Sequence, residues 1–202
     1  MTRSPWARAY ARTPNEYIWG THPSEFAREV STLLPPGARV LELGCGEGRD
    51  SVFFASGGCD VTGVDVSAAG LRKAERLARA HDVEIRWIHG GMGRCAFPGP
   101  FDLVYSCGAI HYVPRGKRAR LFPRLKALTR PGGYHAHVVF TDLEIYVEKG
   151  EVIEYFSPGE LAQAYADWLI LRRADQMISC AQDGTSHRHS VELLIAKTVE
   201  SR

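Results

Sequence analysis

Residues 40–48 read Val-Leu-Glu-Leu-Gly-Cys-Gly-Glu-Gly, an apolar run that enters an acidic residue and three glycines at alternate positions. Such a run brings bare backbone to a strand end, where a ligand can approach closely. In the dinucleotide spacing G-x-G-x-x-G the third glycine falls three residues past the second. Here that position is Arg49, and the extra glycine arrives early, at Gly48. The spacing therefore argues against a pyrophosphate, and Glu42 suits a ligand that carries a cation. Asp65 lies twenty-one residues beyond Gly44. A carboxylate at that distance ends the neighbouring strand and can accept hydrogen bonds from both hydroxyls of a ribose. Its alternative use, as a helix N-cap, is better filled by Ser67.

The remaining chemistry-bearing residues lie in the second half. His111 follows an apolar strand, where a titratable ring has few structural reasons to be. His187, Arg188 and His189 stand at the start of the final strand; if that strand runs antiparallel beside the one ending at Phe140, they share its cofactor-side rim. The alternative for this trio is a solvent-exposed hairpin end. The same reasoning sends His135 and His137 to the strand's other end or its middle, as packed, hydrogen-bonded rings, so the two His-x-His pairs should not combine into one metal site. No metal ligands are assigned. Cys107 has no adjoining lysine or arginine to lower its pKa and reads as a small buried residue.

Positioning these residues takes an alternation of strands and helices. Strands are predicted at 39–43, 60–65, 84–88, 101–105 and 134–140, with helices at 49–55, 68–80 and 117–128 between them, and a helix starting at Thr21 or Ser24 before them. That rhythm indicates a parallel sheet wound on both faces, with its ligand at the carboxyl ends of the strands. The last third departs from it. Ser157 and Glu160 resemble a capping box opening a helix to about residue 166, and strands at 168–173 and 190–197, joined by the turn-rich 182–185, predict a terminal hairpin that adds one antiparallel strand. Residues 1–20 carry Trp6, Tyr10, Tyr17 and Trp19 without periodicity, as a seal on the sheet's end or as a lid over a ligand; 141–157 reads as a substrate-side insert.

Composition sets outer limits. A chain of 202 residues, 45% hydrophobic and 24% charged, suits a single domain with one filled core. A formal charge of +2 implies neither a nucleic-acid nor a membrane partner. The basic residues between Pro114 and Leu128 fall at helical spacing, as on a solvated face. Five cysteines without a C-x-x-C pair fit reduced thiols in a cytoplasmic protein, and neither a signal peptide nor a membrane span is expected.

Taken together, the glycine-rich Glu42–Gly48, Asp65, the strand 101–105 with a polar loop after it, Pro131-Gly132-Gly133 before strand five and the final hairpin resemble a class I methyltransferase dependent on S-adenosylmethionine. The resemblance covers nearly the whole chain. It implies an α/β, Rossmann-like, doubly wound seven-stranded sheet, mostly parallel, with one antiparallel strand from the hairpin. Within that class, Arg49-Asp50-Ser51 and Gly159-Glu160-Leu161 leading to Tyr165 and Trp168 resemble the tellurite-resistance methyltransferases and their uncharacterised relatives.

By this resemblance Gly44 and Gly46 pass backbone along the methionine part of the cofactor, Glu42 lies near its amino group, Asp65 holds the ribose and Met92 packs on adenine. Cys45, Val66, Ser106 and the arm residues Tyr17 and Trp19 complete the expected cofactor set. Gly91 departs from the family pattern, in which an aspartate commonly binds the adenine amino group just before that methionine. Strand four lacks the Asn/Asp-Pro-Pro of base-amino methylation, and no Pro-Cys pair marks cytosine C5 chemistry. A small-molecule acceptor follows, with His111, His187, Arg188 and His189 as acceptor-side candidates and a monomer or homodimer as the assembly. The alternatives are a natural-product or thiol O/S/N-methyltransferase against chalcogen oxyanion detoxification, then a catalytically silent cofactor-binding module, then an NAD-dependent oxidoreductase.

Overall fold

The computed structural model describes residues 5–147, 153–182 and 184–199. Parts of the predicted arm, of the insert 141–157 and of the hairpin turn lie outside them. The contacts cluster into two compact units, 1–98 and 99–202.

The first unit holds α1 (Pro5–Arg12), α2 (Glu25–Ser31), β1 (Arg39–Leu43), α3 (Arg49–Ser56), β2 (Asp60–Asp65), α4 (Ala68–Ala80) and β3 (Arg86–His89). β1 pairs with β2 and β2 with β3, both in parallel. Ser24 caps α2, its hydroxyl accepting the Ala27 N–H at 3.0 Å, and is held by Asp50, which accepts from both the Ser24 N–H and its hydroxyl. Ser67 caps α4 in the same way through the Gly70 N–H. The arm differs from its irregular prediction, because residues 5–12 are helical. Pro5 is tolerated in a first helical turn, and a helix this short holds through packing, here of the buried Tyr10, rather than propensity.

The second unit holds β4 (Phe101–Cys107), a 3-10 turn at Ile110–Tyr112, α5 (Arg115–Lys126), β5 (Thr129–Thr141), α6 (Glu160–Ala164), β6 (Leu169–Cys180) and β7 (His187–Lys197). β4 pairs with β5 in parallel, and β7 runs antiparallel to both β5 and β6. The sheet thus has seven strands, mostly parallel with an antiparallel C-terminal strand, as the sequence implies. β5 starts earlier than predicted, taking in Pro131-Gly132-Gly133 at a register shift opposite Phe101–Leu103. The hairpin strands are also longer than predicted. Alternation is lost along β6, whose outer positions are largely exposed, so pairing with β7 rather than side-chain pattern defines it. As a result His187, Arg188 and His189 lie within β7 rather than in a turn. Half of the capping box forms: Glu160 accepts the Ser157 N–H at 3.0 Å, while the Ser157 hydroxyl donates to Asp142.

Candidate functional site

At the end of β1 the chain turns through Gly44, Gly46 and Gly48, all with positive φ. Two of these glycines are irreplaceable for visible reasons. A Cβ on Gly46 would lie 2.8 Å from the Tyr10 hydroxyl, and one on Gly48 would lie 2.6 Å from the Ala74 Cβ on α4. The early third glycine is thus explained by close packing of the loop on α4, without any pyrophosphate. Gly44 and Cys45 both donate to the Val64 carbonyl, and Asp65 accepts the Gly46 N–H at 2.9 Å and the Ser67 N–H at 2.7 Å. Each Asp65 oxygen has spent one lone pair, so each can still take a hydroxyl. Burial pushes the Asp65 carboxyl up from its ordinary value, against the pull of those two N–H donors. Glu42 is buried deeper and accepts a short hydrogen bond from Ser51. Its carboxyl is raised well above the usual range, by burial first and by nearby Asp50 second. Cys45 is buried, and its thiol is raised too, by burial first and then by Asp65.

The arm is clamped to this loop by a buried ion pair, Lys73 Nζ to Glu47 Oε1 at 2.6 Å. The ammonium also donates to the Thr13 hydroxyl and the Glu16 carbonyl, which exhausts its three hydrogens. Glu47 in turn accepts the Trp19 N–H at 3.2 Å. Trp19 donates its indole N–H to Tyr10 and sits 5.0 Å from Trp6, with the Arg49 guanidinium over its face. Trp19 and Tyr10 therefore belong to one aromatic group against the glycine loop. Tyr17 is engaged differently. Its hydroxyl donates to the Lys73 carbonyl, and its ring packs on Val52, Leu77 and Ala78. On the β3 side, Val66 is half exposed and its carbonyl accepts from His89 Nε2. A Cβ at Gly91 would meet a Val66 methyl at 4.0 Å, an ordinary contact. Met92 lies in the same loop, half buried.

In the second unit Ser106 is buried in β4, its hydroxyl without a hydrogen-bond partner among the described residues. His111 is buried in the 3-10 turn and stacks on Phe140 at 4.2 Å. Its Nδ1 accepts the Phe140 N–H at 3.3 Å, which puts the ring proton on Nε2, a buried N–H without a partner. Burial above all, with His189 and Arg118 adding, lowers its pKa to about 3. The ring is thus a neutral donor rather than a base. His189 also stacks on Phe140, at 4.1 Å, and its Nε2 lies 2.9 Å from that of His187. His187 stacks on Tyr146 at 3.6 Å, and Arg188 makes a two-pronged pair with Glu144. These residues border a cleft of about 400 Å³ lined by Glu144, Ile145, Tyr146, Ser179, Ser186, His187 and Arg188.

His135 and His137 are buried and share the Tyr165 hydroxyl at 2.6 and 2.9 Å. The Thr129 hydroxyl donates to the Leu125 carbonyl and lies 2.8 Å from His135 Nε2. They pair across the sheet with Ala196 and Leu194, several positions from His187 and His189.

Residues 40–133 match the family described as "Methyltransferase domain". The fold of the chain is similar to that of TehB from Haemophilus influenzae, with a TM-score of 0.74 at 20% identity over 85% of this chain and 61% of that one. In sequence the chain is 29% identical to hemagglutinin 1 of Eikenella corrodens, over 75% of this chain and 50% of that protein. It is 36% identical to the trans-aconitate 2-methyltransferase of Deinococcus radiodurans, over 53% of this chain and 40% of that one. The chain spans about half the length of the curated relatives it matches. Among the described residues, no helix is long and apolar enough to cross a membrane.

Sequence reasoning passed over Tyr10 as a partner of Gly46 and the Glu47–Lys73 clamp. Lys73 had a readable signal: it sits among Gly70, Ala74 and Leu77 on the buried stripe of α4, where a lysine needs a carboxylate.

Proposed function

We propose that the chain is an S-adenosylmethionine-dependent methyltransferase acting on a small molecule. The observation that carries this reading is the joint arrangement of Asp65 and the glycine loop. One carboxylate fixes the Gly46 N–H and keeps lone pairs for a ribose, while the positive-φ glycines turn bare backbone out at the end of β1 for the methionine part. The residues present fit the group through the Asp65 carboxylate and through the half-exposed Val66 beside Gly91, an apolar face for adenine with Met92 in the same loop. In this reading Gly44, Cys45 and Gly46 line the methionine portion, Glu42 lies toward its amino group, and Trp19 covers it with Tyr10. Tyr17 acts by anchoring the arm, and Ser106 offers a hydroxyl.

When bound, the sulfonium supplies a methyl already activated for in-line displacement. The protein's part is to hold the acceptor on that axis and exclude water. The acceptor-side candidates are His111, His187, Arg188 and His189. His111 acts as a neutral hydrogen-bond donor through Nε2, because a ring with a pKa of about 3 has little basicity to offer. The cleft beside Arg188 has the volume of a small-molecule site and carries a guanidinium, a carboxylate and an aromatic face, which favours a small polar acceptor over an extended polymer. An oxidoreductase reading finds no support in the loop, whose third glycine serves α4.

Titration calorimetry with S-adenosylhomocysteine and with NADH separates the two readings: binding of the first alone is expected. Asp65→Ala should weaken that binding by about 1–3 kcal/mol, the scale of removing a charged acceptor from hydroxyl donors. Unchanged affinity in a variant whose circular dichroism matches the parent's would refute the ribose role of Asp65. Transfer of labelled methyl to a panel of small acids, thiols and amines tests the acceptor class.

A further inference from the structure

We propose that Cys180, His187 and His189 form a site for a divalent transition-metal ion, Zn²⁺ above others, with one coordination position left open. The site shares His187 and His189 with the acceptor side of the methyl-transfer reading, but it is read from geometry alone. It arises from hairpin register. Cys180 lies directly opposite His187, and alternation along β7 puts His189 on the same face. One ligand atom from each residue, a sulfur and two ring nitrogens, lies within 4.8 Å of the other two. Tetrahedral zinc, with ligands at about 2.0–2.3 Å, separates its donor atoms by about 3.3–3.8 Å. The two Nε2 atoms at 2.9 Å need to move apart by only a few tenths of an ångström.

The orientation of His187 also suits a metal ligand. Its Nδ1 lies 2.7 Å from the Thr185 carbonyl, which can only accept, so the ring proton is on Nδ1 and the Nε2 lone pair faces the cluster. A backbone acceptor on the distal nitrogen is the usual way a metal-binding imidazole is fixed. Both rings are braced by stacking, His187 on Tyr146 and His189 on Phe140. A thiolate with two imidazoles is a borderline-soft set that favours zinc over magnesium or calcium.

Binding balances as follows. The Cys180 thiol, which donates to Gln182 Oε1 at 3.0 Å, loses its proton to solvent as sulfur binds the ion. The proton between the two Nε2 atoms is retained as His189 Nδ1–H, so one proton is released per ion. Three protein ligands leave a fourth position for water or an exogenous donor, and the cleft along Glu144, Tyr146 and Arg188 adjoins it.

The test uses the full chain, stripped of metal by dialysis against a chelator and titrated with Co²⁺ as the spectroscopic probe. One equivalent should produce a thiolate-to-cobalt charge-transfer band and the intense visible bands of four-coordinate Co²⁺, both abolished by added Zn²⁺. Cys180→Ser should remove the charge-transfer band, and His187→Gln should weaken Zn²⁺ binding by about 100-fold, at least the loss seen when a metal ligand's own support is removed. Cys59→Ser, outside the site, should change neither. Circular dichroism of each variant confirms that it is folded. A parent protein with no charge-transfer band overturns the proposal, as does a band that survives in Cys180→Ser.

Discussion

Replacing Lys73 with methionine is expected to destabilise the first unit by about 3–5 kcal/mol, the cost of removing one partner from a buried ion pair. Lys73 and Glu47 side chains are 2% and 1% exposed. Methionine roughly keeps the volume but leaves the Glu47 carboxylate buried with only the Trp19 N–H to solvate it. The Thr13 hydroxyl and Glu16 carbonyl lose their donor as well, so the arm loses its attachment together with the stability. A lowered denaturation midpoint should accompany faster tryptic cleavage at Arg8 and Arg12. Replacing both partners, Glu47→Leu with Lys73→Met, should cost less than the two single changes added together, since a buried pair exchanged for apolar side chains is often near neutral. A Lys73→Met midpoint equal to the parent's would show that the pair contributes nothing.

The second large effect is a pH dependence located in the other unit. Burial alone lowers the His137 pKa from its ordinary 6.5 to about 3. Between those values the unfolded chain binds a proton at this residue and the folded chain does not, so stability falls as pH falls, by up to about 1.4 kcal/mol per unit. From pH 7 to pH 5 the loss from His137 alone is about 2 kcal/mol. His111 and His135 are lowered as well, chiefly by burial, and add loss in the same direction. The raised Glu42 carboxyl works in the opposite sense, being relieved as the pH drops. His137→Gln isolates one residue, because glutamine places an amide N–H where the ring Nε2 stood. The variant's stability should fall about 2 kcal/mol less than the parent's between pH 7 and 5, whatever its stability at pH 7. Parallel pH curves for the two proteins would show that His137 already binds its proton in the folded state.

Much of the fold is readable because its signals are local. Ser24 and Ser67 cap the helices they announce, and β1, β2 and α4 begin and end where their apolar periods do. The ends of β5 and of the hairpin are not readable, because long-range pairing carried them past Pro131 and past the exposed side chains of β6. That Asp65 meets the glycine loop was legible for a related reason: strand, loop and strand follow one another closely. Tyr10 and Glu47 acquire their roles only through contacts with α4 and the loop, between positions far apart in sequence. His111 follows β4 as its spacing implies, but the position of its ring proton depends on which nitrogen faces the Phe140 N–H, which no sequence spacing encodes.

One feature of the second unit has a direction. A carbonyl only accepts, so Thr129 gives its single hydrogen to Leu125, and His135 Nε2–H must then point at the Thr129 oxygen. That leaves His135 Nδ1 bare, so Tyr165 donates to it, and His137 Nε2–H donates to Tyr165. Every proton in the row is ordered by one backbone oxygen, and the row ends in a bare, buried Nδ1 on His137. It is a one-way relay with a closed end. An incoming proton could settle only at that last nitrogen, as a cation facing no acceptor among the described residues.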